Sequence, residues 1–374
     1  MEVIKLINST GIFVEAHIAD LHFGAMNPEV QFKILKEQFL DRLMGLSNLD
    51  IISINGDIFH HKFMANSDAV MYANIFMNAL IELANIKGAT VILIAGTYEH
   101  DYDQLKIFYP YTKTNDVRIV QEVRFEYIKG KRVLIIPELY GKSASYYIRF
   151  LRDSGVYDAC YMHGTYAGTI FGKDYPKLDT GREPVFTLEH FSNCKGPIIS
   201  GHNHIAGCYD GYFYYCGSPY RWQFGEEQDK GFLMLLHNIH TGEHQIGFEK
   251  IESFRYVTIC LDDLLDSDPH EVIERIREIQ ANGIDYLKVQ FTEENEKVIP
   301  VIRQFYRTNP RVKIEVNSKV NKLDEAKTLD DKYKEYEYLN GQADPESKLV
   351  NYINQKEGYT FITVDELRQF LSSL

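Results

Sequence analysis

Apolar and polar positions along the first hundred residues alternate between two periods. Residues 12–18 are a short apolar run and predict a strand. In 28–46, Phe32, Leu35, Phe39, Leu43 and Leu46 recur at steps of three and four, the spacing of an amphipathic helix. Residues 51–58, rich in isoleucine and closing in Gly56-Asp57, read as a buried strand that delivers a carboxylate to its C-terminal end. From 67 to 85, Val70, Ala73, Met77, Leu80 and Ala84 form a second helical stripe, and Lys87-Gly88 ends it. Residues 90–95 make a third strand. This βαβαβ order predicts a parallel sheet with right-handed crossovers.

After residue 124 the pattern changes. Short strands are expected at 132–137, 157–162, 197–200, 212–216, 232–237 and 244–251, with one helix at 143–154. A parallel half followed by a more antiparallel half predicts an α/β (α+β) fold, a two-sheet β-sandwich flanked by helices. The stretch 164–191 carries glycine, proline and charge and reads as a functional loop.

Another change of character comes near residue 253. Strands at 255–261, 286–291 and 312–316 and helices at 269–282 and 297–308 predict a small α/β domain. The expected organisation is a main domain at 1–252, the small domain at 253–320, a charged linker at 321–343 and a helix-loop-helix at 344–374. In the last segment, Asp344-Pro345 starts one helix. Thr363-x-x-Glu366 opens another, with Leu367, Phe370, Leu371 and Leu374 on one side. Two short amphipathic helices beyond a charged linker bury little by themselves and invite docking on a partner.

Composition adds bounds. The chain has 374 residues, 45% apolar and 25% charged, enough for a sizeable core and more than one domain. No apolar run approaches the roughly 18 residues of a membrane span. Residues 1–10 include Glu2 and Lys5 and do not resemble a signal peptide. Five cysteines, without a Cys-x-x-Cys pair, argue against a disulfide framework or zinc ribbon and for a reducing, cytoplasmic setting. The net charge of −13 does not suggest non-specific nucleic-acid binding through counterion release. Divalent ions in a cleft would reverse that sign locally.

The candidate chemistry lies where apolar runs end. Five such segments carry ligand-type residues, namely Asp20-Leu21-His22, Gly56-Asp57, Glu99-His100-Asp101, His163-Gly164 and Gly201-His202-Asn203-His204. Open α/β sheets bind ligands at that edge. One Asp after a strand is usually a turn or cap, whereas five ordered segments form a cage, with Asp57 as the carboxylate shared by two metal ions. Carboxylate and imidazole without thiolate suit Mn²⁺, Fe²⁺ or Zn²⁺. Two such ions about 4 Å apart polarise a phosphoryl group and turn water into hydroxide, the chemistry of phosphoester hydrolysis. His61 reads as a solvated turn residue, and His237, His240 and His244 as surface residues around a hairpin. Asp101 and Asp103 are expected to shape a loop, and Met71, Phe76 and Met77 to pack.

These motifs resemble the calcineurin-like metallophosphoesterase superfamily, and within it the SbcD-type DNA double-strand-break repair nucleases of bacteria and phages. The narrower resemblance rests on Gly56-Asp57-Ile58-Phe59-His60, on Tyr215-Cys216-Gly217-Ser218-Pro219, and on the segment from Phe224 to Phe232. It implies that Asp20, His22, Asp57 and His204 hold one metal and that Asp57, His163 and His202 hold the other, most simply as two Mn²⁺. His100 would act on the leaving oxygen or transition state, and His60 would contact the scissile phosphate. The third motif departs from the family's Gly-Asn-His-Asp/Glu, reading Gly96-Thr97-Tyr98-Glu99-His100-Asp101. Either Glu99 takes the family's asparagine position as a metal ligand, or the longer loop carries it away.

The implied function is a DNA nuclease subunit, a 3′–5′ exonuclease on duplex ends and an endonuclease on single strands or hairpins. Its partner would be an SbcC-type SMC-like ATPase docked on 344–374, and the helices near 28–46 and 67–85 would form a homodimer face. Residues 253–320 would be the capping domain. The alternatives are a small-molecule phosphodiesterase or phosphatase with the same cage, and a catalytically weakened scaffold for the ATPase.

Overall fold

A computed structural model of the protein describes residues 11–316 apart from 153–154, 168, 172–174, 177–183 and 227. The expected linker at 321–343 and helix-loop-helix at 344–374 lie outside the described residues. The described residues divide into two compact units, 11–257 with 282–286, and 258–281 with 287–316.

The first unit begins with strand β1 (Ile12–Ile18) and helix α1 (Pro28–Leu35). The Asn27 side chain accepts from the amides of Glu29 and Val30, and Pro28 takes the first helical position, where no amide is needed. α1 runs on through a π-helical turn, Lys36–Leu40, into Asp41–Met44. Leu35, Phe39 and Leu43 are spaced by four, which a strict 3.6-residue helix would rotate out of line. The wider turn keeps all three buried.

β2 (Ile51–Asn55), α2 (Asp68–Lys87) and β3 (Thr90–Ile94) follow, with Gly88 ending α2 at φ +65°. α2 has the length and apolar character of a membrane span, but Ala73, Phe76, Met77 and Leu80 are buried in the core. Next come β4 (Val117–Val120), β5 (Arg124–Ile128), β6 (Lys131–Ile136), α3 (Ala144–Leu151) and β7 (Ala159–His163). β8 (Ile198–Gly201), β9 (Gly207–Tyr209), β10 (Phe213–Tyr215), β11 (Lys230–Asn238) and β12 (His244–Ile251) complete the unit. Within the expected loop at 164–191, Thr165–Tyr166 pairs in parallel with Val185–Phe186.

The two six-stranded sheets run β12-β11-β1-β2-β3-β4 and β9-β10-β8-β7-β6-β5. In the first, β1 to β4 are parallel, and β11 adds antiparallel to β1. In the second, β6, β7, β8 and β10 are parallel, with only β5 and β9 reversed at the edges. The second half is thus more antiparallel than the first, as expected, but through its edges: its own sheet keeps a parallel centre, and its last hairpin returns to extend the first sheet.

Phe13, Ile51, Ile92 and Val120 of one sheet meet Ile128, Val133, Ile135, Tyr161 and Ile199 of the other in one buried layer. On the outer face of the first sheet, Val14, Ala16, Ile18, Ile52 and Leu93 pack with Leu35, Phe39, Phe76 and Leu80 of the helices. On that of the second, Leu134, Cys160 and Ile198 pack with Tyr147 and Leu151 of α3. Alternation along β1 thus sends Phe13, Glu15 and His17 between the sheets.

His237, expected at the surface, is buried in β11 on the same side. Burial, then Lys131, pushes its pKa down to about 3. The folded protein therefore keeps His237 neutral to lower pH than the unfolded chain, whose histidines take a proton near pH 6.5. Between those values the unfolded state binds more protons, so stability rises with pH and is lost as pH falls from about 6.5 toward 3. His237→Leu should flatten that slope by up to about 1.4 kcal/mol per pH unit. Urea midpoints measured at a series of pH values check this, and an unchanged slope would count against the assignment.

The second unit is a small α/β layer. Its three-stranded sheet runs in the order β13 (Tyr256–Cys260), β14 (Tyr286–Phe291), β15 (Val312–Val316), the unit boundary crossing the first two of these. Helices Pro269–Ala281 and Ile299–Tyr306 bury Val272, Ile273, Ile276, Ile299 and Ile302, with Leu287 and Val289 of β14 also buried.

Candidate metal centre

The C-terminal ends of six parallel strands, three from each sheet, converge on one hollow. β1 leads to Asp20 and His22, β2 to Asp57, and β3 to the one-turn helix Tyr98–Asp101 with His100. β6 leads to Glu138, β7 ends in His163, and β8 leads to His202 and His204. Among the described residues, six non-glycine positions have positive φ, and four of them are Asp20 (54°), His22 (44°), Asp57 (54°) and His202 (88°). Backbone strain of this kind persists only where the surroundings enforce it. Here the amides of Asp20 and His22 donate to Gly56 and Asp57 carbonyls at 3.0 and 2.9 Å, and the His202 amide donates to Asp20 Oδ1 at 3.0 Å.

Two glycines make room. A Cβ on Gly56 would lie 2.1 Å from His163 Nδ1, and one on Gly96 would lie 2.2 Å from Asp57 Oδ1. Asp101 accepts from the amides of Ile58, Phe59 and Gly96, which shapes the loops around Asp57. Burial, reinforced by Asp57, pushes Asp101 up to about 7.

Asp57 Oδ2 is the common point of the hollow. His163 Nε2 lies 3.4 Å from it, His22 Nε2 3.7 Å and His100 Nε2 4.0 Å. Four groups of donor atoms lie within 4.8 Å of one another: Asp20/His22/His204, Asp20/Asp57/His163, His22/Asp57/His100 and Glu138/His163/His202. Burial alone would raise Asp57, but His163, His22 and His100 hold it well below the usual carboxylate range. Burial pushes Asp20 up to about 6, against the pull of His163 and His204. Burial opposes a charge on His163, yet Asp57, Asp20 and Glu138 hold its pKa well above the ordinary histidine value.

The donor set fits divalent metal ions. His22 Nε2 and His204 Nε2 face each other at 3.2 Å, an arrangement that one shared cation satisfies for both lone pairs. His163 Nδ1 sits 2.7 Å from the Asn55 carbonyl, which favours a proton there and leaves Nε2 free to bind metal. Nε2 itself is buried without a hydrogen bond. His204 Nδ1 lies 3.4 Å from Glu226, whose carboxylate in turn lies 3.4 Å from Lys230 Nζ. Carboxylate and imidazole donors without sulfur match Mn²⁺, Fe²⁺ or Zn²⁺.

Asp20, His22, Asp57, His100, His163, His202 and His204 are thus brought together. His60 stands beside them, its ring 5.5 Å from that of His22 and 6.1 Å from that of His100, but belongs to none of the donor groups. Glu99 is not brought in. Its side chain is exposed on the Tyr98–Asp101 turn and joins none of the groups among the described residues. The helical turn points His100 inward and Glu99 outward, and the carboxylate that stands beside His163 and His202 is that of Glu138.

Glu138 Oε2 lies 3.3 Å from His202 Nδ1 and 3.6 Å from His163 Nε2. It follows an apolar strand, as the other donors do, but Pro137 intervenes and no histidine or glycine marks the spot. Glu138→Gln should weaken metal retention by roughly ten- to a hundredfold, whereas Glu99→Gln should leave it unchanged. Metal content after equilibrium dialysis distinguishes them, and the reverse result would restore Glu99.

Trp222, the chain's one tryptophan, was also not singled out in the sequence. Its ring lies 4.9 Å from that of His22 and 4.8 Å from that of His204, walling one side of the hollow. Next to it opens a cavity of about 290 Å³ lined by His202, His204, Phe224, Glu226 and Lys230 among others.

Compared with known proteins, the chain matches no family model and no curated sequence. One solved structure to which it is similar is described as "Structural and Functional Characterization of a Novel Archaeal Phosphodiesterase". The two are 12% identical, the match covers 63% of this chain and 99% of the other, and the TM-score is 0.30. At that distance the likeness adds nothing to the geometry above.

Proposed function

We propose that this chain is a metal-dependent phosphodiester hydrolase of the metallophosphoesterase type, working as an SbcD-like nuclease subunit on DNA ends, hairpins and single strands. The observation that carries the hydrolase reading is the gathering of carboxylates and imidazoles from both sheets around Asp57. Asp20, His22, Asp57 and His204 would hold one divalent ion, and Asp57, Glu138, His163 and His202 the other, with Mn²⁺ as our choice. Ions bound there would supply positive charge for a phosphate and lower the pKa of water so that the nucleophile, hydroxide, is available near neutral pH.

The chain's own residues do the rest. Asn55 and Glu226 orient the rings of His163 and His204. Trp222 shields one flank from solvent. His100, partly exposed at the edge of the hollow, would donate a hydrogen bond to the phosphate or its leaving oxygen, and His60 would steady the phosphate beside it. Glu138 offers a carboxylate beside His163 and His202, which supports an active hydrolase over a weakened scaffold.

Docking of an SbcC-type ATPase on 344–374 and a homodimer through α1 and α2 belong to the same reading. The exposed Met71 and Ile75 on α2 support the dimer.

Mn²⁺-dependent digestion of end-labelled duplex, hairpin and single-stranded DNA, with and without the ATPase, tests the nuclease. Hydrolysis of bis-p-nitrophenyl phosphate with no cleavage of DNA would assign the hollow to small phosphodiesters instead. His100→Ala should lower turnover about 10²- to 10³-fold with metal content retained. Metal loss equal to that of His202→Ala would make His100 a ligand.

A further inference from the structure

Three of the segments that build the hollow also carry an exposed side chain of another kind two residues away. Lys62 follows His60, Tyr98 precedes His100, and Tyr140 follows Glu138. These side chains meet. The Tyr98 ring centroid lies 5.7 Å from that of Tyr140 and 4.5 Å from that of Tyr102, and Lys62 Nζ lies 4.4 Å from the centre of the Tyr98 ring. Tyr98 is 36% exposed, Tyr102 49% and Tyr140 64%, so the cluster offers ring surface to solvent instead of filling a core.

It is also held in place. The Tyr102 carbonyl accepts from Gln121 Nε2 at 2.6 Å, and the turn that carries Tyr98 is fixed through Asp101.

Resting on the phosphodiester-hydrolase reading of the hollow, we infer that Tyr98, Tyr102, Tyr140 and Lys62 form a subsite for an unpaired nucleobase next to the phosphate being cleaved. Flat, sequence-tolerant stacking is what exposed tyrosine rings provide, and each base stack contributes appreciably to affinity. The lysine meets the phosphate charge that accompanies a base. It also opposes a quaternary-ammonium headgroup, the other occupant that clustered tyrosines recognise. A base can reach these rings only when it has left its duplex partner, so the subsite selects single-stranded or frayed ends.

The test uses the full chain in two arms. In the first, kcat/KM is measured for the p-nitrophenyl ester of thymidylate and for methyl p-nitrophenyl phosphate, which has no base. The preference for the nucleotide should fall about tenfold in the Tyr102→Ala/Tyr140→Ala double variant and survive in Tyr102→Phe/Tyr140→Phe. In the second, fluorescence anisotropy follows binding of a labelled phosphorothioate oligothymidylate and of a duplex of equal length. Wild type should bind the single strand more tightly, and the alanine variant should lose that margin.

A preference unchanged by the alanine variant, or equal loss for single strand and duplex, overturns the subsite. If wild type cleaves neither ester while the anisotropy pattern holds, the subsite stands and the hydrolase reading falls.

Discussion

Asp57→Asn is expected to abolish the proposed metal-dependent phosphodiester hydrolysis, by roughly 10³-fold or more, and to cost the protein most of its capacity to retain divalent metal. Asp57 Oδ2 lies within 4.0 Å of His22, His100 and His163. Asp57 belongs to two of the four donor groups.

Asparagine keeps the shape and can still accept from the Thr97 amide, which donates to Asp57 Oδ1 at 2.6 Å. The fold should therefore persist, and circular dichroism can confirm it. What is lost is the negative charge that gathers three imidazoles and the two-sided oxygen that two cations can share. Metal analysis of the purified variant, beside its turnover of bis-p-nitrophenyl phosphate, is the measurement. A variant that keeps a wild-type metal complement would show that Asp57 is not the shared ligand.

Lys131→Met should destabilise the first unit by about 3–5 kcal/mol, though it lies away from the hollow. Lys131 and Glu15 are both fully buried between the sheets. The ammonium donates to Glu15 and, at 2.8 Å, to the Tyr161 hydroxyl, which itself donates to Glu15. His17 Nε2 lies 3.1 Å from the same carboxylate.

Burial would raise the Glu15 carboxyl, but Lys131 and then His17 hold it below the usual range. Methionine fills the lysine's volume and leaves that carboxylate without its cation. Removing one partner of a buried pair costs far more than replacing both. The Glu15→Gln/Lys131→Met variant should accordingly be more stable than Lys131→Met alone.

The pH dependence follows. In Lys131→Met the folded-state pKa of Glu15 rises above its unfolded value, so the folded protein gains protons. The deficit against wild type then shrinks as pH falls from 7 toward 5. Urea midpoints give both comparisons, and a single-variant loss below about 1 kcal/mol, well short of the buried-pair range, would show that water reaches the pair.

The buried pair also shows the limit of reading the chain alone. Lys131 opens β6 and looks, by local pattern, like a solvated strand end. Its partner is 116 residues earlier. His237 was misplaced for the same reason, because a hairpin's sequence does not say which sheet will cover it. The return of β11 and β12 to the first sheet is another such case, since strand order depends on non-local pairing.

Local periodicity determined most of the elements by itself. β1 and β3 form from short, mostly apolar runs covered on both faces, whereas steps of three and four in α2 and of two in β14 place apolar side chains on one face. That Asp20, His22, Asp57, His163, His202 and His204 meet in one hollow was legible because each lies at or within a few residues of the end of such a run, and a strand's end limits where the next side chains can go. Tertiary structure alone turned Glu99 outward and set Glu138 beside His163 and His202, and it alone set Trp222 against the histidines. A single helical turn rotates neighbouring side chains about 100° apart, and no spacing in the sequence says which of them faces a hollow closed by the opposite sheet.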